Sequence, residues 1–171
     1  MSPDPLNNAF SLGWTGYAYL EHGDAEHAIA LLEQSIELLS GMRYSRLVGW
    51  FQGWLAEAYL LAGEAVRAQD EGTKGLEVSL QTGFTWAVGL AQRALGRIAL
   101  AGGDRRQAER WLGNALATFE GVRSSFDAAR TRVALAQLAE AEHRHAQAGE
   151  QRQAAHALLA ELELPADILL G

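Results

Sequence analysis

The sequence predicts an all-α fold, a solenoid of four helix–turn–helix repeats with about eight antiparallel helices, and three observations carry that expectation. Gly23-Asp24, Gly63-Glu64 and Gly103-Asp104 are spaced by forty residues, with His143-Arg144 as a degenerate fourth pair, and a fixed period of this size signals stacked supersecondary units. Small residues recur at the same interval, Ala28, Ala68, Ala108 and Ala148 in one series and Gly16, Ala56, Gly96 and Ala136 in another. Tyr, Val and Ile fall at helical spacing instead of alternating, and the intervening segments are too short to hide a sheet.

Each element follows from that frame. Ser45, Thr85 and Ser125 read as N-caps before apolar-periodic segments, and Pro5 holds the equivalent place in the first unit. The first helix of each unit (A) is therefore expected near 5–22, 45–62, 85–102 and 125–142. The acid after each turn glycine suits a helix N-terminus, where it meets free N–H groups and the positive dipole end. The second helices (B) are expected near 24–40, 64–81, 104–121 and 146–163. The four units span roughly 5–40, 45–81, 85–121 and 125–163 of a single domain, and the tail 164–171, with Ile168, Leu169 and Leu170, is expected to fold back on the last unit.

Small side chains let helices approach closely while a large neighbour fills the groove. Leu95-Gly96, Ala108 and Ala115 place them 12 and then 7 residues apart in unit three, and Leu55-Ala56, Tyr59, Ala68 and Gly75 repeat the pattern in unit two. This spacing, over about residues 5–163, resembles the tetratricopeptide repeat. The resemblance implies a right-handed superhelix whose A helices line a concave groove, and it implies a protein-interaction role. The forty-residue period exceeds the usual figure of about 34, which calls for longer helices or longer B-to-A connections, and the family's proline near the end of helix B is missing. Segments such as Gly16–Leu20, Glu57–Gly63 and Ala94–Asp104 are similar to the C-terminal arrays of bacterial signalling ATPases, nucleotide cyclases and maltose-regulator-type transcription activators. That likeness implies a module of a larger signalling or regulatory protein.

Composition narrows the chemistry. The 171 residues hold 14 Lys+Arg against 21 Asp+Glu, a formal charge of −7, and no cysteine. Disulfides, thiolate metal sites and thiol nucleophiles are thereby excluded. An acidic chain without a basic run lacks the counterion-release term that drives nucleic-acid binding. No apolar run approaches the roughly 18 residues a membrane span needs, and no basic-then-apolar leader opens the chain, so a cytoplasmic location is expected. Phosphate loops, dinucleotide fingerprints, His-Glu-x-x-His and Gly-x-Ser-x-Gly motifs are all missing. No enzyme, cofactor or metal is expected: His143 and His145, like His22 and His27, read as solvated turn residues, and Glu140 and Glu142 point to different sides of a helix.

The inner stripe of the A helices is the candidate site. Phe10, Trp14 and Tyr17 from unit one, with Trp50, Trp54 and Glu57 from unit two, make one half aromatic, Gly13 and Gly53 leaving room beside the rings. Arg93, Arg97 and Arg130 give the other half guanidinium groups. Such a surface suits a protein or peptide partner with an apolar segment followed by a carboxylate, since Trp, Tyr and Arg dominate binding hot spots. A core role for Trp14 and Trp54 remains the alternative, as does a solvated role for the arginines; Trp86 and Trp111 fall on packing stripes. A small-molecule sensor using the aromatic half is the second functional reading. The carboxylate clamp of the co-chaperone subfamily would fall on Gly13, Tyr17, Trp54, Leu90 and Ala94, none of which carries its donors.

The ends and one helix interior complete the expectations. Helix B4 has a polar outer face, Gln147 to Gln153, opposite a stripe of Ala148, Ala155, Leu158, Leu159 and Leu162. Helix B1 adds Ile29, Leu31 and Leu38 around its packing stripe and is apolar over a wide arc. That face is either covered by a preceding repeat or a surface for homodimer formation. Gly72, an interior helix glycine where the family expects a large side chain, predicts a soft point between units two and three.

Overall fold

A computed structural model describes residues 4–165. Eight helices follow in order: α1 (Pro5–Glu21), α2 (Ala25–Gly41), α3 (Ser45–Leu61), α4 (Ala65–Gln81), α5 (Thr85–Ala101), α6 (Arg105–Gly121), α7 (Ser125–Ala141) and α8 (His145–Glu161). Every helix has 17 residues, and three residues separate each from the next. The extra length over the usual repeat therefore lies in the helices, and B-to-A connections are as short as A-to-B ones. Residues 166–171, including Ile168, Leu169 and Leu170, lie outside the described residues.

One turn, built repeatedly, produces this regularity. After α1, the Gly23 N–H bonds to the Leu20 carbonyl (3.0 Å) and the Asp24 N–H to the Tyr19 carbonyl (3.0 Å), the paired bonds of a Schellman motif. The second bond recurs as Tyr44 to Leu39, Glu64 to Tyr59, Phe84 to Ser79, Asp104 to Ala99, Ser124 to Phe119 and Arg144 to Ala139. The residue that closes one helix is also the N-cap of the next. Asp24 and Asp104 use their side chains as well, accepting from the His27 and Gln107 N–H groups at 3.1 and 3.0 Å. Glu64 occupies the same place without a side-chain bond. Ser45, Thr85 and Ser125, expected as N-caps, are the first helical residues instead; the caps are Tyr44, Phe84 and Ser124, none with a side-chain cap bond. At these three starts the turn closes the preceding helix, and no cap side chain accepts from the N–H groups of the next.

Burial separates two kinds of helix. In α2, Ala28, Leu32, Ser35 and Leu39 are buried, and in α6 Ala108, Leu112, Ala115 and Phe119, a single stripe facing inward. The middle of α3 is buried on all sides from Phe51 to Tyr59, and α5 nearly so. The odd-numbered helices touch one another while the even-numbered ones do not, which makes α1, α3, α5 and α7 the inner layer and α2, α4, α6 and α8 the outer. Glycines permit the closest approaches: a Cβ at Gly96 would lie 2.7 Å from the Leu112 side chain, and one at Gly13 would lie 2.4 Å from the Phe51 ring. Gly13 thus makes room for a neighbouring helix, not for a ligand. Gly72 is buried against Leu95 and Ala56, so close packing accounts for the residue that the sequence marked as a soft point.

The main core runs from α1 to Phe119 and Ala128, whereas the last repeat has two small clusters of its own, Ala129 with Ala155 and Leu159, and Ala136 with Ala139 and Ala148.

Candidate functional site

The aromatic residues of α1 and α3 form one continuous cluster. Tyr17 stacks on Trp54 with ring centres 4.2 Å apart, Trp54 stacks on Phe51 at 5.4 Å, and Trp14 meets Trp54 and Trp50 edge-to-face at 5.2 and 5.6 Å. Phe10 and Trp86 extend it at either side of Trp50. Offset and edge-to-face pairs of this kind add about 0.5–1.5 kcal/mol each beyond the area they bury. Trp54 is 3% exposed and belongs to the core, while Trp14 is 42% and Phe10 36% exposed. The two tryptophans grouped together from sequence thus have different roles. Trp86 and Trp111 are half-buried.

The arginine half is a correction to the sequence reading. Arg93 does not face an open groove: its side chain is 2% exposed and ion-paired twice, Nε donating to Glu57 Oε1 at 3.1 Å and Nη1 to Asp127 Oδ1 at 2.9 Å. Arg97 donates from Nη1 to the other Glu57 oxygen at 2.8 Å and keeps 41% exposure. Arg130 reaches from α7 to α1, donating to the Tyr17 hydroxyl at 2.9 Å and to Glu21 Oε1 at 2.8 Å. Three guanidinium groups thus face three carboxylates, and the expected surplus of positive charge is cancelled from within. The cause is the geometry of the array, which carries successive A helices past one another so that residues 34 to 113 positions apart meet.

Electrostatics follow from that arrangement. Burial alone would push the Glu57 carboxyl up, but Arg93, Arg97 and Arg130 outweigh it and hold the group at about 2, below its ordinary 4.5. Burial works against a charged Arg93 too, yet Glu57 and Asp127 more than restore it, so its guanidinium is held more firmly charged than usual. The Tyr17 phenol is pushed up to about 12, burial outweighing the nearby Arg130.

Asp127, Glu21 and Trp86 complete the network, and the sequence reading gave none of them this role. Asp127 also accepts from Trp86 Nε1 and Ser124 Oγ, both at 2.8 Å. The available signal was an acid in the first turn of α7 and a tryptophan in the first turn of α5, forty-one positions apart, which no single-helix pattern connects. Leu20, Glu21, Gly23, Glu57, Leu61, Arg97 and Arg130 line a cavity of about 100 Å³ at the charged end of the face.

The candidate self-association residues divide by face. Ile29, with Ile36 one heptad on, packs against the main core and is half-buried. Leu31 is half-buried and Leu38 is 37% exposed, with Leu38 beside Leu12, Asn8 and Gln34 around a depression at the α1–α2 edge. Of the histidines, His27 bonds to Asp24 at 2.8 Å and stacks on Tyr19, and the His143 and His145 rings lie 6.3 Å apart. Among the described residues no group of three or more His, Asp or Glu side chains is placed to hold a metal ion, and no helix is long and apolar enough to cross a membrane.

The chain matches no protein-family model and no curated protein. Solved structures do share its fold. A Rap protein complexed with competence and sporulation factor superposes with a TM-score of 0.84 at 18% identity, over 94% of this chain and 45% of that one. The apo form of RapI gives 0.71 at 16% identity with the same coverages. A Podosopora anserina putative kinesin light chain with nearly identical TPR-like repeats gives 0.67 at 21% identity, over 93% of this chain and 78% of that one. The chain therefore has the tetratricopeptide-like repeat fold, and it spans less than half the length of the two Rap chains.

Proposed function

We propose that this tetratricopeptide-like array is an interaction module, binding a peptide or partner domain on the inner face of its odd-numbered helices within a bacterial signalling or regulatory protein. The observation that carries the proposal is the ledge of Phe10 and Trp14, which stays open although it adjoins a cluster that has buried Trp54. Exposed aromatic area flanked by a half-satisfied arginine is the composition of a binding hot spot. Across the same face, Arg97 bonds Glu57 through one nitrogen and keeps the rest of its guanidinium toward solvent. The partner that fits presents an apolar or aromatic side chain to Phe10 and Trp14 and a hydrogen-bond acceptor to Arg97. A Rap protein of the same fold was solved with competence and sporulation factor, which supports a ligand-binding role for arrays of this shape.

The cavity at the charged end holds about 100 Å³, less than the roughly 300–1,000 Å³ of usual small-molecule pockets, so this end of the face favours a surface-bound segment over an enclosed small molecule. A surface-bound segment needs no such enclosure.

The test is selection from a displayed random-peptide library, with Trp14→Ala and Arg97→Ala as controls. Selected peptides should share an aromatic or aliphatic residue beside an acceptor, and Trp14→Ala should weaken them about thirtyfold, corresponding to about 2 kcal/mol. Peptides that bind wild type and Trp14→Ala equally would place recognition elsewhere and overturn the proposal.

A further inference from the structure

Arg130 connects the two ends of the inner layer. The Cα traces of α1 and α7 nowhere come within 8 Å of each other, yet the Arg130 side chain spans the gap to Tyr17 and Glu21, 113 and 109 residues away in sequence. Phe126, one turn earlier on α7, lies under the guanidinium at 5.8 Å and steadies it. Its partners differ from those of Arg93. Arg93 is locked between carboxylates that are 3% and 10% exposed, whereas Glu21 is 32% exposed and Tyr17 is a neutral acceptor. A bond to an accessible carboxylate and a neutral hydroxyl exchanges far more readily than one between desolvated charges.

We propose that Arg130 is a latch across the inner face: bonded to Tyr17 and Glu21 it holds α1 and α7 together, and its release opens the array. Arrays of stacked repeats respond along their whole length to small rotations between neighbours, so one bond between the first and last repeats constrains every interface in between. Tyr17 is the link to the aromatic cluster, because the ring whose hydroxyl Arg130 holds is the ring stacked on Trp54. Arg130 and Glu21 also line the small cavity beside Arg97. An acceptor group of a partner entering there competes with Glu21 for the same guanidinium, so occupation of the face and opening of the array become one event. That consequence rests on the proposed binding role; the latch itself is a property of the free protein.

The test is therefore made without a partner. The chain contains no cysteine, so Ser11→Cys on α1 and Gln137→Cys on α7, both exposed, give two unique spin-label sites for pulsed dipolar distance measurement. Arg130→Ala is compared with the double variant Tyr17→Phe, Glu21→Ala, which removes both acceptors while keeping the ring stacked on Trp54 and leaving α7 untouched. Both should shift the α1–α7 distance distribution to longer values and broaden it, with helical circular dichroism unchanged. Should Arg130→Ala fail to fold, the double variant alone decides. A distribution indistinguishable from wild type in the folded double variant overturns the latch, whatever the peptide selection shows, and failure of the selection leaves the distance result standing.

Discussion

At the scale of single residues, Arg93 and Arg97 differ in what they can lose. Removing one partner of a buried ion pair leaves a charge without compensation and costs about 3–5 kcal/mol, while an exposed pair contributes about 1 kcal/mol or less. Arg93, 2% exposed between Glu57 and Asp127, falls in the first class, whereas Arg97 is 41% exposed and its loss leaves Glu57, 3% exposed, still paired with Arg93, which puts it nearer the second. Urea denaturation at pH 7 should therefore separate Arg93→Met from Arg97→Ala by several kcal/mol. Acid sharpens the comparison. Glu57 is held at about 2 in the folded protein against an ordinary 4.5, so the unfolded chain binds its proton first. The stability this group supplies is complete above pH 4.5 and is lost as the pH falls toward 2. In Arg93→Met the depression shrinks, and the acid-dependent loss between pH 4.5 and 2 should shrink with it. An identical pH slope in the two proteins would mean that Arg93 does not set the Glu57 charge.

At the scale of the element, the repeated turn is the device to test. The second residue of each three-residue connection has a positive φ, 77° at Gly23 and Gly63 but also 61° at Arg43 and 57° at Arg123. A side chain in that region costs about 1–2 kcal/mol, partly offset because glycine loses more freedom on folding, about 0.4–1 kcal/mol. Arg43→Gly combined with Arg123→Gly, both at exposed positions, should gain about 1 kcal/mol and raise the melting temperature by roughly 2–4 °C. Melting at or below the wild-type temperature would show that these two turns are stabilised by their arginines. The same turns explain what the sequence made legible. The forty-residue period was visible because glycine marks every A-to-B turn but the last, where His143 stands. The twenty-residue spacing beneath it was hidden, since B-to-A turns carry Arg43, Gly83 and Arg123. The inner stripes were legible one helix at a time, because each needs only a helical period. The pairing of Arg93 with Asp127 was not, since it depends on how far successive repeats rotate, and that rotation is set by side chains such as the Phe51 ring filling the space at Gly13.

At the scale of the whole molecule, the fourth repeat stands apart from the other three. Its own core is built mainly from alanines, Ala129, Ala136, Ala139, Ala148 and Ala155, with Leu138 and Leu159 as the large buried residues. The first three repeats share a core that includes Phe51, Trp54, Tyr59 and Phe119. Buried area sets the hydrophobic contribution at about 25 cal/mol per Å², so the alanine-rich repeat has less of its own stability to draw on. Polar bonds add to its anchorage. Asp127 joins α7 to Arg93 and Trp86 of α5, and Arg130 joins it to α1. In an array whose stability is a sum of repeats and interfaces, a weak terminal unit opens before the rest. Native-state hydrogen exchange should thus find amides of α7 and α8 exchanging faster than those of α3 and α5. Asp127→Asn keeps the shape and removes the charge, and a hydrogen bond to a charged group is worth about 1.5–3 kcal/mol. Exchange in α7 and α8 should accelerate by roughly ten- to a hundredfold at 1.4 kcal/mol per factor of ten, while α1 to α4 change far less. Equal acceleration in all eight helices would mean that the array unfolds as one unit. In that case the ion-pair network would act as a keystone of the whole fold and not as the tether of its last repeat.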